Sequence, residues 1–173
     1  SRTHQSLPAP RTRSPPPAAR APRPVLKSNG AQHADPAVLF ISRDGGLNWT
    51  LNRSLWEQPT RPEWEPGGGG LCLHSIVPWP GNPAKLAVAI SAAGVWLTND
   101  GCETWERGNE GLIPNYLPGE VQVGAVPLCV HHIERVAAAP DRMYMQFHGG
   151  VYRSDDAGRS WVNIGRNLPS DFG

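Results

Sequence analysis

Two short stretches of the chain hold the residue types from which a metal site or a reaction could be built. Cys72-Leu73-His74 recurs as Cys129-Val130-His131, with His132 next to the second instance and His148 further along the chain. Residues i and i+2 of a strand share one face, so each pair would present a thiol and an imidazole side by side. That makes a candidate soft-metal site, which His132 and His148 could join. The plainer reading is preferred: cysteine as a small buried apolar residue, histidine satisfying a core hydrogen bond. No metal and no cofactor is therefore expected, and His74, His131, His132 and His148 are retained as candidate ligand-contacting residues.

Other chemistry is less well supplied. Glycoside hydrolysis needs two carboxylates about 5–10 Å apart. Glu57, Glu63, Glu65, Glu120 and Glu134 are available, but their spacing sets no two face to face, and each reads as solvated charge. Trp56, Trp64 and Trp79 could stack on a sugar ring, although sealing one sheet against the next is the preferred role. The glycine run at 67–70 lacks the Gly-Lys-Ser/Thr that completes a phosphate loop, so it reads as a flexible connection. No catalytic residue is assigned.

What must position these groups is a repeat. Ser42-Arg43-Asp44-Gly45-Gly46-Leu47-Asn48-Trp49, Thr98-Asn99-Asp100-Gly101-Cys102-Glu103-Thr104-Trp105 and Ser154-Asp155-Asp156-Ala157-Gly158-Arg159-Ser160-Trp161 align at a constant spacing of 56 residues. An aromatic residue (Phe40, Trp96, Tyr152) precedes each box by two positions. Upstream, LCLHSI matches LCVHHI, and PAKLAVAI matches PDRMYMQF, both at an offset of 57. Each unit therefore reads as four short strands, with the box forming the turn between the third and fourth. A lone four-stranded sheet cannot bury both faces, and repeats of this length stack as the blades of a β-propeller. The box aspartate can accept from turn amides, the Ser or Thr hydroxyl adds a local bond, and Gly46 or Gly158 can take positive φ. Cys102 stands where the other copies have that glycine, so the middle turn is expected to be the weakest.

Composition divides the chain in two. Seven prolines fall between Pro8 and Pro24, and residues 1–34 carry six basic side chains and no acid. That segment is expected to be a disordered Pro/Arg-rich tail, because its prolines would break a targeting helix. Residues 35–173 hold all seven tryptophans and a net charge of about −5, a sign that disfavours nucleic acid as a partner. No apolar run approaches the length of a membrane span, and none suits a secretory signal. With three cysteines that cannot all pair, a cytoplasmic setting is favoured.

The boxes resemble the Asp-box, or BNR, repeat of sialidases, sortilin-type receptors, xyloglucanases and a photosystem assembly factor, all β-propeller proteins. More narrowly, WEQP, EPGGGGLCLH, HGGVYRSDDAGRSW and NLPSDFG are similar to stretches of bacterial BNR-repeat proteins described as glycosyl hydrolase or exo-alpha-sialidase. The resemblance spans about residues 38–173. It implies that Ser42, Asp44, Gly46, Trp49, Thr98, Asp100, Trp105, Ser154, Asp156, Gly158 and Trp161 are structural, in hairpins on the blade periphery. It also implies a carbohydrate-related hydrolase or binder. The Phe/Tyr-Arg-Ile/Leu-Pro motif of the family's sialidases is absent, however, so no catalytic role carries over and the chain alone is expected to be inactive. The alternative is a non-catalytic scaffold that docks protein partners on its blade edges.

The expected architecture is thus all-β: an incomplete propeller of about 2.5 four-stranded antiparallel blades, the remaining blades lying outside this sequence. The first copy should keep only its third strand and box. An open ring should expose two apolar blade faces and make the isolated chain poorly soluble.

Overall fold

A computed structural model describes residues 25–28, 37–66, 70–117 and 128–170. Apart from residues 25–28, the segment expected to be a tail lies outside the described residues, as do 67–69, Glu120 and 171–173.

Eleven strands form three antiparallel sheets among the described residues, each with its strands joined in chain order. The first comprises β1 (Val25–Ser28), β2 (Leu39–Ser42) and β3 (Thr50–Leu51). The short helix α1 (Arg53–Trp56) follows, capped by the Asn52 side chain, which accepts from the Leu55 amide. The second sheet comprises β4 (Leu73–Trp79), β5 (Asn82–Ile90), β6 (Gly94–Thr98) and β7 (Glu106–Arg107). The third comprises β8 (Val130–Arg135), β9 (Met143–Phe147), β10 (Gly150–Ser154) and β11 (Val162–Asn163). This is an incomplete β-propeller of two four-stranded blades and one three-stranded blade. Three sheets are too few to close a ring. No helix among the described residues is long and apolar enough to cross a membrane.

The first sheet is larger than its sequence suggests. β1 pairs along β2 from Val25↔Ser42 to Ser28↔Leu39, giving the first copy a strand beyond its third strand and box. That strand belongs to a proline-rich stretch with no counterpart in the 56-residue alignment, so the repeat carries no signal for it.

Alternation along the middle sheet explains why its strands read as unbroken apolar runs. Leu86, Val88, Ile90 and Trp96 join Leu39, Ile41 and Trp64 in one core cluster, toward the first sheet. Ala87, Ala89, Val95 and Leu97 join Val130, Met143, Met145, Phe147 and Tyr152 in a second, toward the third. With period-2 geometry, both faces of the middle sheet are thereby removed from water. The outer sheets have one covered face each. Beyond β9 and β10, the uncovered face of the third sheet carries Tyr144, Gln146, Val151 and Arg153. That face is more polar than the apolar surface expected of an open ring. Apart from Tyr144, the exposed large apolar side chains among the described residues lie in turns, connections and outermost segments: Leu47 and Trp49 in the first unit, Ile113 between units, and Val162, Ile164 and Leu168 in the third.

The three box turns repeat one set of hydrogen bonds. Ser42, Thr98 and Ser154 each donate to the Oδ1 atom of the aspartate two residues on, at 2.7–2.8 Å. Each of these hydroxyls also accepts the amide four residues on, from Gly46, Cys102 or Gly158. Asp44, Asp100 and Asp156 in turn accept the backbone amide and side chain of Asn48, Thr104 and Ser160. Both positions after each aspartate have positive φ: Gly45 and Gly46, Gly101 and Cys102, Ala157 and Gly158. Cys102 therefore does carry left-handed strain, at φ 75°. Ala157, at 68°, carries it in the third turn as well, so the middle turn is not alone.

The tryptophans tie one unit to the previous one. Trp105 donates through Nε1 to Asn52 Oδ1 at 2.9 Å, and Trp161 does so to the Gly108 carbonyl at 2.8 Å. Asn52 and Gly108 are themselves 56 residues apart, and their amides bond the equivalent carbonyls of Leu39 and Val95. Gly108 has no room for a side chain, because an added Cβ would overlap the carbonyl oxygen of Gly158.

Candidate functional site

β4 and β8, the first strands of their sheets, lie against one another, and the Ile133 amide of β8 donates to Ser75 Oγ of β4 at 3.1 Å. Both strands contain the same irregularity. Against β5, the register slips between Leu73 and Ser75; against β9, it slips between Val130 and His132. His74 and His131 are thus the extra residues of two equivalent bulges. A bulge re-aims its side chain, so the regular-strand rule does not govern where these imidazoles point.

In the third unit, three chemically useful side chains converge. Cys129 precedes β8, His131 occupies the bulge, and His148 opens the two-residue turn between β9 and β10. The His148 amide donates to the Cys129 carbonyl at 3.0 Å, which pins the turn to the strand start. His148 Nδ1 lies 3.3 Å from His131 Nε2, and the Cys129 thiol and both imidazoles offer ligand atoms within 4.8 Å of one another. Among the described residues, no other three His, Cys, Asp or Glu side chains converge in this way. All three are partly buried.

Tyr116 closes one side of this cluster. Its ring meets His148 edge-on at 4.6 Å between centroids, and its hydroxyl accepts the Cys129 amide at 2.8 Å. Burial pushes the Tyr116 hydroxyl up to about 12, raises the Cys129 thiol, and lowers His131, whose neighbours His148 and His74 add to the effect. Tyr116 lies in the connection between units, where the repeat gives no alignment, so spacing alone does not point to it.

The other expected residues are distributed differently. The His74 ring is 6.4 Å from that of His131, at the margin of the cluster, and burial followed by the charge of His132 lowers its pKa. His132 turns elsewhere, with Nδ1 3.4 Å from Ser75 Oγ and Nε2 4.0 Å from a Glu134 carboxylate oxygen. Cys72 is not one of the converging thiols. His74, His132 and Glu134 border an open groove of about 700 Å³ along β4 and β8, with Ile76, Val77, Pro78 and Pro80 in its lining.

The tryptophans do not assemble into a sugar platform. Trp64 is buried against Trp96 at 5.2 Å and shares the Arg61 guanidinium with Trp56. Trp79 stands apart from them, between Lys85 and Arg135. Nor is a pair of facing carboxylates present in the groove. Among the described residues Glu134 is its one acid, while Glu57 pairs with Arg53 beside α1 and Glu63 lies in the 3-10 turn Arg61–Glu63.

No family model matches the chain, and no curated protein matches it. Solved structures of similar shape include YCF48 bound to D1 peptide, at 19% identity over 79% of this chain and 35% of that one, with a TM-score of 0.46. An ancestral GH74 enzyme is 19% identical over 73% of this chain and 16% of its own, with a TM-score of 0.49. The GH74 xyloglucanase from Xanthomonas campestris is 17% identical over 87% of this chain and 22% of its own, with a TM-score of 0.47. The chain therefore spans about a third or less of the length of each of these structures.

Proposed function

We propose that this chain is a carbohydrate-binding part of a β-propeller, acting by binding rather than by hydrolysis. The observation that carries the reading is the groove along β4 and β8. Its lining combines the imidazoles of His74 and His132 with the apolar side chains of Ile76, Val77, Pro78 and Pro80. Imidazoles supply both donor and acceptor atoms, and an apolar lining suits the C–H face of a sugar ring. With Glu134 as its single carboxylate among the described residues, the groove shows no acid and base pair for glycosidic cleavage there.

Titration of the full chain with sialosides and β-glucan oligosaccharides, followed by NMR, tests this. Saturable shifts at His74 and His132, weakened at least about tenfold in His132→Ala, are expected. No binding by either glycan class, or binding indifferent to that substitution, would refute the reading. Turnover of a glycan would refute its non-hydrolytic part.

A second reading, a scaffold that docks a protein, draws on the exposed Leu47 and Trp49 in the first unit. It predicts a partner lost in Trp49→Ser while the groove is unaffected.

A further inference from the structure

We propose that Cys129, His131 and His148 form a zinc site, with its fourth position left to water or an exogenous ligand. One thiolate and two imidazoles form a donor set suited to this cation, and three protein ligands with an open position are a familiar arrangement for it. Zinc with nitrogen at about 2.0–2.1 Å and sulfur at about 2.3 Å in tetrahedral geometry separates its ligand atoms by about 3.3–3.6 Å. His131 Nε2 and His148 Nδ1 already stand 3.3 Å apart, and no pair in the set exceeds 4.8 Å. The widest remaining separation exceeds that range by at most about 1.2 Å.

The chain carries its own comparison. At the offset of 57, Cys72 and His74 correspond to Cys129 and His131, but Ser91 takes the place of His148. Ser91 Oγ is occupied with backbone: it accepts the Cys72 amide at 2.7 Å and donates to the Gly70 carbonyl at 3.0 Å. Equivalent backbone geometry holds in both units, since the Ser91 amide donates to the Cys72 carbonyl as the His148 amide does to Cys129. The second unit thus uses this turn position as a structural tie, and the third supplies an imidazole there. A histidine is not needed to hold the turn at this position, since serine holds it in the second unit.

Local support favours fixed ligands. The Cys129 amide is held by Tyr116, the His148 amide by Cys129, and the Tyr116 ring limits the His148 imidazole from one side. Zinc binding displaces the thiol proton of Cys129 to solvent. The imidazoles stay neutral, each keeping its single proton on the nitrogen away from the metal.

The untagged full chain, reduced and stripped with chelator, is titrated with Co²⁺ as a spectroscopic probe and then with Zn²⁺ against a chromophoric chelator. One equivalent per chain is expected, with the intense visible bands of tetrahedral Co²⁺ and a thiolate charge-transfer band. Cys129→Ser should abolish the charge-transfer band, and His148→Ser, which installs the second unit's own residue, should weaken binding at least about tenfold. Cys72→Ser should change neither. Zinc-edge absorption of the unsubstituted chain should show one sulfur and at least two imidazole nitrogens, whatever the fate of the variants. Absence of stoichiometric binding, equal loss in Cys72→Ser, or a coordination shell lacking sulfur would overturn the assignment.

Discussion

The indole Nε1 of Trp161 donates to the carbonyl oxygen of Gly108 at 2.8 Å, joining a turn of the third sheet to the end of the second. One unit earlier, Trp105 makes the corresponding bond to Asn52. Trp49 has no earlier unit among the described residues; its Nε1 bonds within its own turn, to the Gly46 carbonyl, and the side chain is 38% exposed. Three tryptophans at equal spacing therefore have unequal energetic roles.

Truncating Trp161, which is 3% exposed, should cost about 3–5 kcal/mol, through lost burial and an unpaired carbonyl at Gly108. Trp49→Ala should cost under about 1 kcal/mol, as surface changes do. Denaturant midpoints of the two variants check this. Equal losses would mean that the inter-unit bond contributes nothing.

Relief of backbone strain should be measurable in the third turn. Ala157 has φ 68° and its amide donates to the Asp141 carbonyl at 2.8 Å, a bond that glycine would retain. Ala157→Gly should raise stability by up to about 1 kcal/mol, the left-handed penalty less the added freedom of the unfolded chain. Thermal unfolding should shift upward by about 2–4 °C at the upper limit. A lower midpoint would show that the turn holds alanine without strain. Cys102→Gly is a less clean test, because that side chain is buried in the core toward the first sheet.

Acid should loosen the turns late. Hydrogen bonds from the Asn48 amide and side chain and from Ser42 hold Asp44 at about 2; those from the Thr104 side chain and amide and from Thr98 do the same for Asp100. Their folded pKa values lie below the ordinary value of 3.8, so the associated stability is fully present above about pH 4 and is lost as pH falls toward 2. Carboxyl chemical shifts followed against pH should give midpoints near 2 for both. Midpoints close to 3.8 would contradict the hydrogen bonding described.

The legible part of the fold was what repeats. Trp49, Trp105 and Trp161 fix the period, and the matching apolar runs place the strands of the second and third sheets. β1 escaped because the stretch containing Val25–Ser28 has no aligned copy. The strain at Ala157 lay in the same alignment: Gly45 and Gly101 fill that first turn position in the other two copies, and both positions are left-handed. At the candidate site, the recurrence of Cys72 and His74 as Cys129 and His131 marks two of the three converging residues. The grouping itself depended on two things outside local spacing: a register slip that makes His131 a bulge, and a hairpin that returns His148 to the start of β8. His132, one residue from the bulge, faces Ser75 instead.

Stacking of successive sheets sets β4 beside β8. Hydrogen exchange of the three indole N–H groups, followed by ¹⁵N-resolved NMR, tests that stacking directly. Trp105 and Trp161 should exchange far more slowly than Trp49, since their donors are buried in the preceding unit and that of Trp49 is not. Equally rapid exchange at all three would contradict it.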